Sequence, residues 1–312
     1  MNHATGRPKV SIIIPSWTGA VSRTVNSIEQ QTFHDYELDV VQGVSPAAAA
    51  RNLAAQRAKG EILLFVDDDA RLGHERVLEL MVNLLESDAR VAVVGVSQQI
   101  PVEATPFQYG VARQVPRTTS PVVSSDLVSN PPLDSYGFTT ITTTCCAVRR
   151  TVFEQVGGFD EALPTGEDTD FFYRVRRLGY NLVVTANCYV YHEPAASVKA
   201  LIRKSFWYGI GHALEVRKSP ERGAALLPLN RWYGKLGLIA AILAFPLSFF
   251  VHYYFDTRRL VFSFRPLKTL STYANLCGYL YGWYHGKPYN RAPVPHQRRS
   301  HRDLESSERQ TQ

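Results

Sequence analysis

At 312 residues with 45% apolar side chains, the chain exceeds one minimal domain and carries enough hydrophobic material for a sizeable core plus an appendage. Its formal charge of +6 comes from basic residues that thicken after residue 199 without an aromatic-basic nucleic-acid signature, which points to an anionic lipid surface and away from nucleic acid. Cys145, Cys146, Cys188 and Cys277 follow neither metal nor disulfide spacing, as expected of a reducing cytoplasmic compartment, and residues 1 to 9 lack the apolar core of a secretory signal.

In chain order, Lys9 to Pro15 carries Val10, Ile12, Ile13 and Ile14, which predicts a buried strand that stops at proline because proline cannot continue a ladder. Ser16 to Gly19 is then a loop at the strand end. Val21, Val25 and Ile28 recur with polar residues between them, so Ala20 to Thr32 reads as an amphipathic helix. Leu38 to Val41 is a short second strand. Alanine-rich Ala47 to Lys59 begins after Ser45-Pro46 and ends at Gly60, a helix with a start and a stop signal. Ile62 to Val66 is a third buried strand, and it ends abruptly on Asp67, Asp68 and Asp69. This βαβαβ order predicts an α/β domain with a Rossmann-like, mainly parallel sheet flanked by helices, which binds ligands at the carboxyl ends of its strands. Three adjacent carboxylates repel one another. A divalent cation relieves them, and hard oxygen ligands suit Mg²⁺ or Mn²⁺, a solvated acidic loop being the alternative.

Glu75 to Ser87 is a further helix with Val77, Leu80, Met81, Leu84 and Leu85 on one side, and Val91 to Val96 the next strand. Residues 101 to 140, rich in Pro, Ser and Thr, read as long loops over one face, where a variable substrate is met. Thr139 to Val148 resumes as a strand, Arg150 to Val156 as a short helix and Gly157-Gly158 as a turn. Glu167 to Leu178 is a helix whose first turn holds Glu167, Asp168 and Asp170, a placement its dipole favours. Asn181 to Tyr191 closes the sheet, ending on His192.

After Ser197 the composition shifts. Leu236 to Phe255 has no charged side chain and is long enough to cross about 30 Å of hydrocarbon, although Pro246 would kink it. Tyr-rich Leu270 to Trp283 suits an interfacial or re-entrant helix better. The expected organisation is a flexible N-terminus at 1–8, a catalytic domain at 9–198, an amphipathic helical connector at 199–234, membrane-associated helices at 235–288 and a basic disordered tail at 289–312. An even number of crossings, or insertion into one monolayer, keeps the catalytic domain facing the cytoplasm at the cytoplasmic membrane.

Several pieces fall in one order: Val10 to Pro15, Ser27 to Thr32, Arg51-Asn52, Ala58 to Gly60 leading into Asp67-Asp68-Asp69, Gly157-Gly-Phe-Asp-Glu161, then Gly166-Glu-Asp-Thr-Asp170 with Arg174. Over about residues 8 to 195 this set resembles the family 2 inverting glycosyltransferases of GT-A fold.

The resemblance implies a nucleotide-sugar donor whose departing diphosphate is neutralised by a cation held by carboxylates. Asp67 matches the first aspartate of the family motif, which meets the ribose or the metal, Asp69 the last, the usual metal ligand, and Asp68 the variable middle residue on the donor side. Asp168 matches the general base that deprotonates the acceptor hydroxyl, a helix N-terminal charge being the alternative. Glu167 is placed to contact the acceptor or orient that base. His192 stands where some relatives supply a further metal ligand, or is a structural histidine. Pro15 and Trp17 fall on the donor side of the first strand, with Trp17 placed to stack on the nucleotide or to serve as an ordinary aromatic. Arg51 pairs with phosphate or with Asp67. Relatives commonly read the base with an aspartate after the second strand; here Gln42 follows Val40-Val41, which leaves the base open. The implied function is metal-assisted inverting transfer to a glycan or lipid-linked acceptor at the membrane, in cell-surface polysaccharide or glycolipid synthesis. A silent relative that binds nucleotide-sugar or glycan is the alternative.

Overall fold

A computed structural model describes residues 6–115, 118–129, 141–218, 229, 231–254 and 259–286. The expected N-terminal segment falls mostly outside these residues, and the basic tail entirely so. The first half alternates β1 (Val10–Ser16), α1 (Ser22–Glu29), β2 (Tyr36–Gln42), α2 (Ala47–Arg57) and β3 (Ile62–Val66). β1 lies between β2 and β3 and runs parallel to both. Ile12 and Ile14 face one core with Leu64 and Val66, while Ile13 faces the other with Leu63 and Phe65, so period-two side chains are buried on both faces. Pro15 does not end β1: it pairs in register with Val41, whereas the pairing to β3 already stops at Ile13.

Next come β4 (Ala70–Leu72), α3 (Val77–Ser87), β5 (Val91–Gln99), α4 (Pro106–Gln114), β6 (Leu127–Ser129), β7 (Cys145–Arg149), α5 (Arg150–Val156), α6 (Glu167–Arg177) and β8 (Asn181–His192). The main path of the sheet is β2-β1-β3-β7-β5-β8-β4, with β6 beside β8. It is mixed. β7 enters antiparallel between β3 and β5, and β4 and β6 pair antiparallel with β8. β1, β2, β3, β5 and β8 still run one way, which brings the ends of β3 and β8 to one edge.

The region expected to be loops contains α4. Thr105 caps it, accepting from the Gln108 amide while the Gln108 side chain accepts from Thr105 N, with Pro106 in the first turn. Residues 130–140 lie outside the described residues.

The C-terminal part comprises α7 (Val198–Lys218), α8 (Trp232–Leu243), β9 (Val251–Tyr254), β10 (Arg259–Phe262) and α9 (Pro266–His285). The expected crossing at 236–255 is therefore corrected. α8 stops at Leu243, a 3₁₀ turn spans Leu247–Phe249 after Pro246, and the chain enters an antiparallel hairpin. Pro246 supplies no N–H to prolong the helix, and Phe249, Phe250 and Val251 are strand-forming types. Among the described residues no helix is long and apolar enough to cross a membrane. α9 packs backbone-close on α7, where a Cβ on Gly278 would stand 1.9 Å from Phe206 O and one on Gly209 2.0 Å from Asn275 O. Tyr279, fully buried, fills that seam with Ala213 and Leu229.

Candidate functional site

Strand register builds the centre. β3 ends at Val66, Asp67 N donates to Thr144 O at 3.1 Å, and the chain turns at once into β4, where Ala70 is the register partner of His192. That pairing sets His192 Nε2 3.5 Å from Asp69 Oδ1. One ligand atom each from Asp67, Asp69 and His192 lies within 4.8 Å of the others. Two carboxylates and one imidazole form a donor set suited to a divalent first-row cation, with the nitrogen favouring Mn²⁺ over Mg²⁺. Burial acts to raise the Asp69 pKa, but the hydrogen bond to His192 and the charges of His192 and Lys204 outweigh it and hold Asp69 below the usual carboxylate range.

The middle aspartate turns the other way. Asp68 Oδ2 accepts from Ser16 Oγ at 2.6 Å, and its carbonyl accepts from Thr24 Oγ1 at 2.7 Å, so it ties the end of β3 to the loop after β1. Burial raises its pKa despite the bond from Ser16. Gln42, which stands where relatives commonly carry a base-reading aspartate, donates from Nε2 to Thr18 O at 2.9 Å and braces the same loop. Trp17 stands exposed on that loop, and Pro15 is partly buried just before it.

Arg51, on α2, is 3% exposed and forks between two carboxylates: Nη2 donates to Asp67 Oδ1 and Nη1 to Glu167 Oε1, both at 2.7 Å. Its guanidinium carbon lies 5.7 Å from the Phe159 ring centre. Burial works against its charge, yet Asp67 and Glu167 prevail and raise its pKa. The same pair decides Glu167: at the start of α6 it is buried and pushed upward by desolvation, against the pull of Arg51. Asp168 follows, partly buried, accepting from Thr169 N at 2.8 Å, and burial raises its pKa too. Gly166 caps α6 at φ 83°, a left-handed conformation that glycine adopts without a Cβ penalty.

Much of the ordered motif set proves to be scaffolding. Asn52 donates to Phe159 O and accepts from Phe159 N, and Arg174 pairs with Asp170 while donating to Val156 O and Gly158 O, so the Gly-Gly-Phe turn is clamped from α2 and α6. Ser16, a loop residue by sequence, is tied into the site through its bond to Asp68. α7 completes the surroundings: Thr165 Oγ1 donates to Trp207 O at 3.2 Å, and Thr169 Oγ1 to Glu215 Oε1 at 3.2 Å.

Acidic side chains gathered at the carboxyl edge of such a sheet define an α/β enzyme whose ligand sits at the strand ends. Residues 2–209 match the model of the family described as "Glycosyltransferase like family 2". The chain belongs to that family. It is similar to the O-antigen biosynthesis protein RfbC of Myxococcus xanthus, 28% identical over 232 residues, 62% of this chain but 18% of that protein. It is also similar to the O-antigen chain rhamnosyltransferase RfbN of Salmonella typhimurium, 24% identical over 235 residues, 66% of this chain and 73% of that protein. Among solved structures, the mannosyltransferase PcManGT of Pyrobaculum calidifontis, in complex with GDP-Man and Mn²⁺, shares the fold. Its TM-score is 0.55 at 17% identity, over 91% of this chain and 89% of that one.

Proposed function

We propose that the protein transfers one sugar, with inversion, from a nucleoside-diphosphate donor to a hydroxyl of a glycan or lipid-linked acceptor during cell-surface polysaccharide or glycolipid synthesis. The observation that carries this reading is the fork of Arg51, which joins the Asp67 end of the metal-competent cluster to Glu167, the neighbour of Asp168. Two similar proteins are named for O-antigen work, which supports the polysaccharide setting.

In this reading Asp67, Asp69 and His192 hold Mg²⁺ or Mn²⁺, which supplies positive charge for the departing diphosphate. Asp168 takes the proton of the acceptor hydroxyl. The hydroxyl oxygen bonds to the anomeric carbon on the face opposite the leaving group, and the carbon–oxygen bond to the diphosphate breaks with its electron pair leaving on the nucleotide. Glu167, spent on Arg51, orients the start of α6 and with it the base. Trp17 flanks the nucleotide. Ser16 and Gln42 hold the Trp17 loop in place. The enzyme works at the cytoplasmic face of the membrane, a setting with which four free cysteines agree.

The test is nucleotide release by purified protein across UDP-, GDP- and dTDP-sugars, with Mn²⁺ or chelator, beside Asp168→Asn. Metal-dependent release from one donor, lost in the variant, supports the reading. Release unaffected by both chelator and Asp168→Asn would overturn it.

A further inference from the structure

The C-terminal part presents an apolar surface that nothing in the described chain covers. Leu236, Ile239 and Leu243 on α8 are 54%, 53% and 76% exposed, and Leu247, Phe262 and Phe264 beyond it are 60%, 73% and 62% exposed. From Leu236 to Leu243 α8 carries no polar side chain at all. A helix apolar all round belongs in a core or in lipid, and a patch of this kind marks an interaction site. It is no loose flap. Tyr273 OH donates to Ala241 O, Thr269 Oγ1 donates to Ser248 O at 2.6 Å, and the rings of Phe245 and Tyr273 meet edge-on at 4.6 Å. Through α9 the surface is joined to α7 and so to the residues that lead into α6.

We infer that α8, the 3₁₀ turn and the β9–β10 hairpin seat in one leaflet of an anionic lipid bilayer, making the protein monotopic. Length argues for one leaflet: twelve helical residues reach about 18 Å, against a hydrocarbon core of about 30 Å. Charge selects the occupant. Between residues 198 and 286 the sequence holds twelve Lys and Arg against three Asp and Glu, so a second copy would set like charges against each other, whereas anionic headgroups attract them. Arg231 and Lys235 lie exposed at the start of α8 with Trp232 and Tyr233, the mixture of basic and amphipathic side chains that settles at headgroup depth. This surface deepens the transfer reading only in that a lipid-linked acceptor would be met beside the site; the docking itself is read without sugar transfer.

The experiment is flotation of the full chain with vesicles of phosphatidylcholine alone and of phosphatidylcholine with phosphatidylglycerol, beside three variants. Leu236→Glu/Ile239→Glu/Leu243→Glu, all at exposed positions, is expected to lower binding to the anionic vesicles at least tenfold at an unchanged urea midpoint. Arg231→Glu/Lys235→Glu removes the preference for anionic over neutral vesicles. Deletion of residues 289–312 leaves most of the binding in place. The inference is overturned if the triple variant floats like the parent, or if the tail deletion alone abolishes binding. It also fails if the parent ignores vesicles and instead forms a dimer that the triple variant dissolves, which would give the surface to a second copy.

Discussion

Arg51 Nη1 donates to Glu167 Oε1 at 2.7 Å between residues 116 positions apart, while the other arm of the guanidinium holds Asp67. Two halves of the site, the end of β3 and the start of α6, thus share one buried cation. Removing it by Arg51→Ala leaves two carboxylates facing a cavity, and breaking a buried pair costs about 3–5 kcal/mol. The expected result is a loss of that size in urea unfolding, with donor binding weakened as well. Arg51→Lys keeps the charge but cannot fork to both partners, so it falls between the parent and the alanine variant. An alanine variant as stable as the parent would show that the fork is idle.

The proposed cation site at Asp67, Asp69 and His192 predicts a graded response. Asp69→Ala removes a carboxylate whose ionised form the surroundings favour, and in the proposed role Mn²⁺-dependent donor binding should disappear with it. His192→Ala leaves both carboxylates and should weaken Mn²⁺ binding by roughly tenfold while narrowing the preference for Mn²⁺ over Mg²⁺. Calorimetric titration of donor with each ion and with chelator checks both; equal affinity in all conditions would sink the metal assignment.

Desolvation raises Asp168 and Glu167 together, and the sign of the pH dependence follows. As the proposed general base Asp168 works deprotonated, so kcat/KM should rise with pH through a midpoint above the free aspartate value of about 3.9. Asp168→Asn should lower transfer by about 10²–10⁴-fold and leave donor affinity nearly intact. Stability runs the other way. Carboxyls whose folded pKa is raised favour the folded state most when protonated, so their contribution is complete below their unfolded values and is lost as pH rises through the folded ones. Glu167→Gln should flatten that decline in a pH series of unfolding midpoints.

Where the chain announced its structure, the signals were local. Ile62–Val66 begins and ends as its apolar run does, Ala47 starts α2 after Pro46, and Arg150–Val156 ends at a Gly157 with φ of 83°. β4 has three residues and no period to detect, yet it places His192 beside Asp69. Thr105-Pro106 with Gln108 is a readable helix start, but it sits inside a Pro-rich stretch whose composition speaks for loops. Strand direction is another matter: nothing in Cys145–Arg149 distinguishes an antiparallel insertion from a parallel strand. At 236–255 hydropathy counted apolar residues correctly, but the same composition serves a short helix followed by a hairpin. The carboxylates were identifiable as types at a strand end. Their division of labour, with Asp68 turned to Ser16 and Asp67 to Arg51, depends on contacts with distant segments of the chain.

Close approach of α7 and α9 yields a prediction in which the same substitution takes opposite signs. Glycine inside a helix usually costs about 0.5–1 kcal/mol relative to alanine, because it loses more backbone freedom on folding. At Gly110 in α4 a new Cβ would meet only Leu267 Cδ1 at 3.4 Å, the far end of a flexible side chain, so Gly110→Ala should be neutral or stabilising by up to that amount. At Gly278 the Cβ would lie 1.9 Å from Phe206 O and 2.7 Å from its carbonyl carbon, both backbone atoms of α7. The helices must separate, which empties contacts around the buried Tyr279, and overpacking of this kind costs about 1–3 kcal/mol. Urea midpoints of the two variants should move apart. Equal shifts would mean that α7 and α9 are not held in backbone contact in solution, and α7 could then no longer be counted among the elements that position Thr165 and the start of α6.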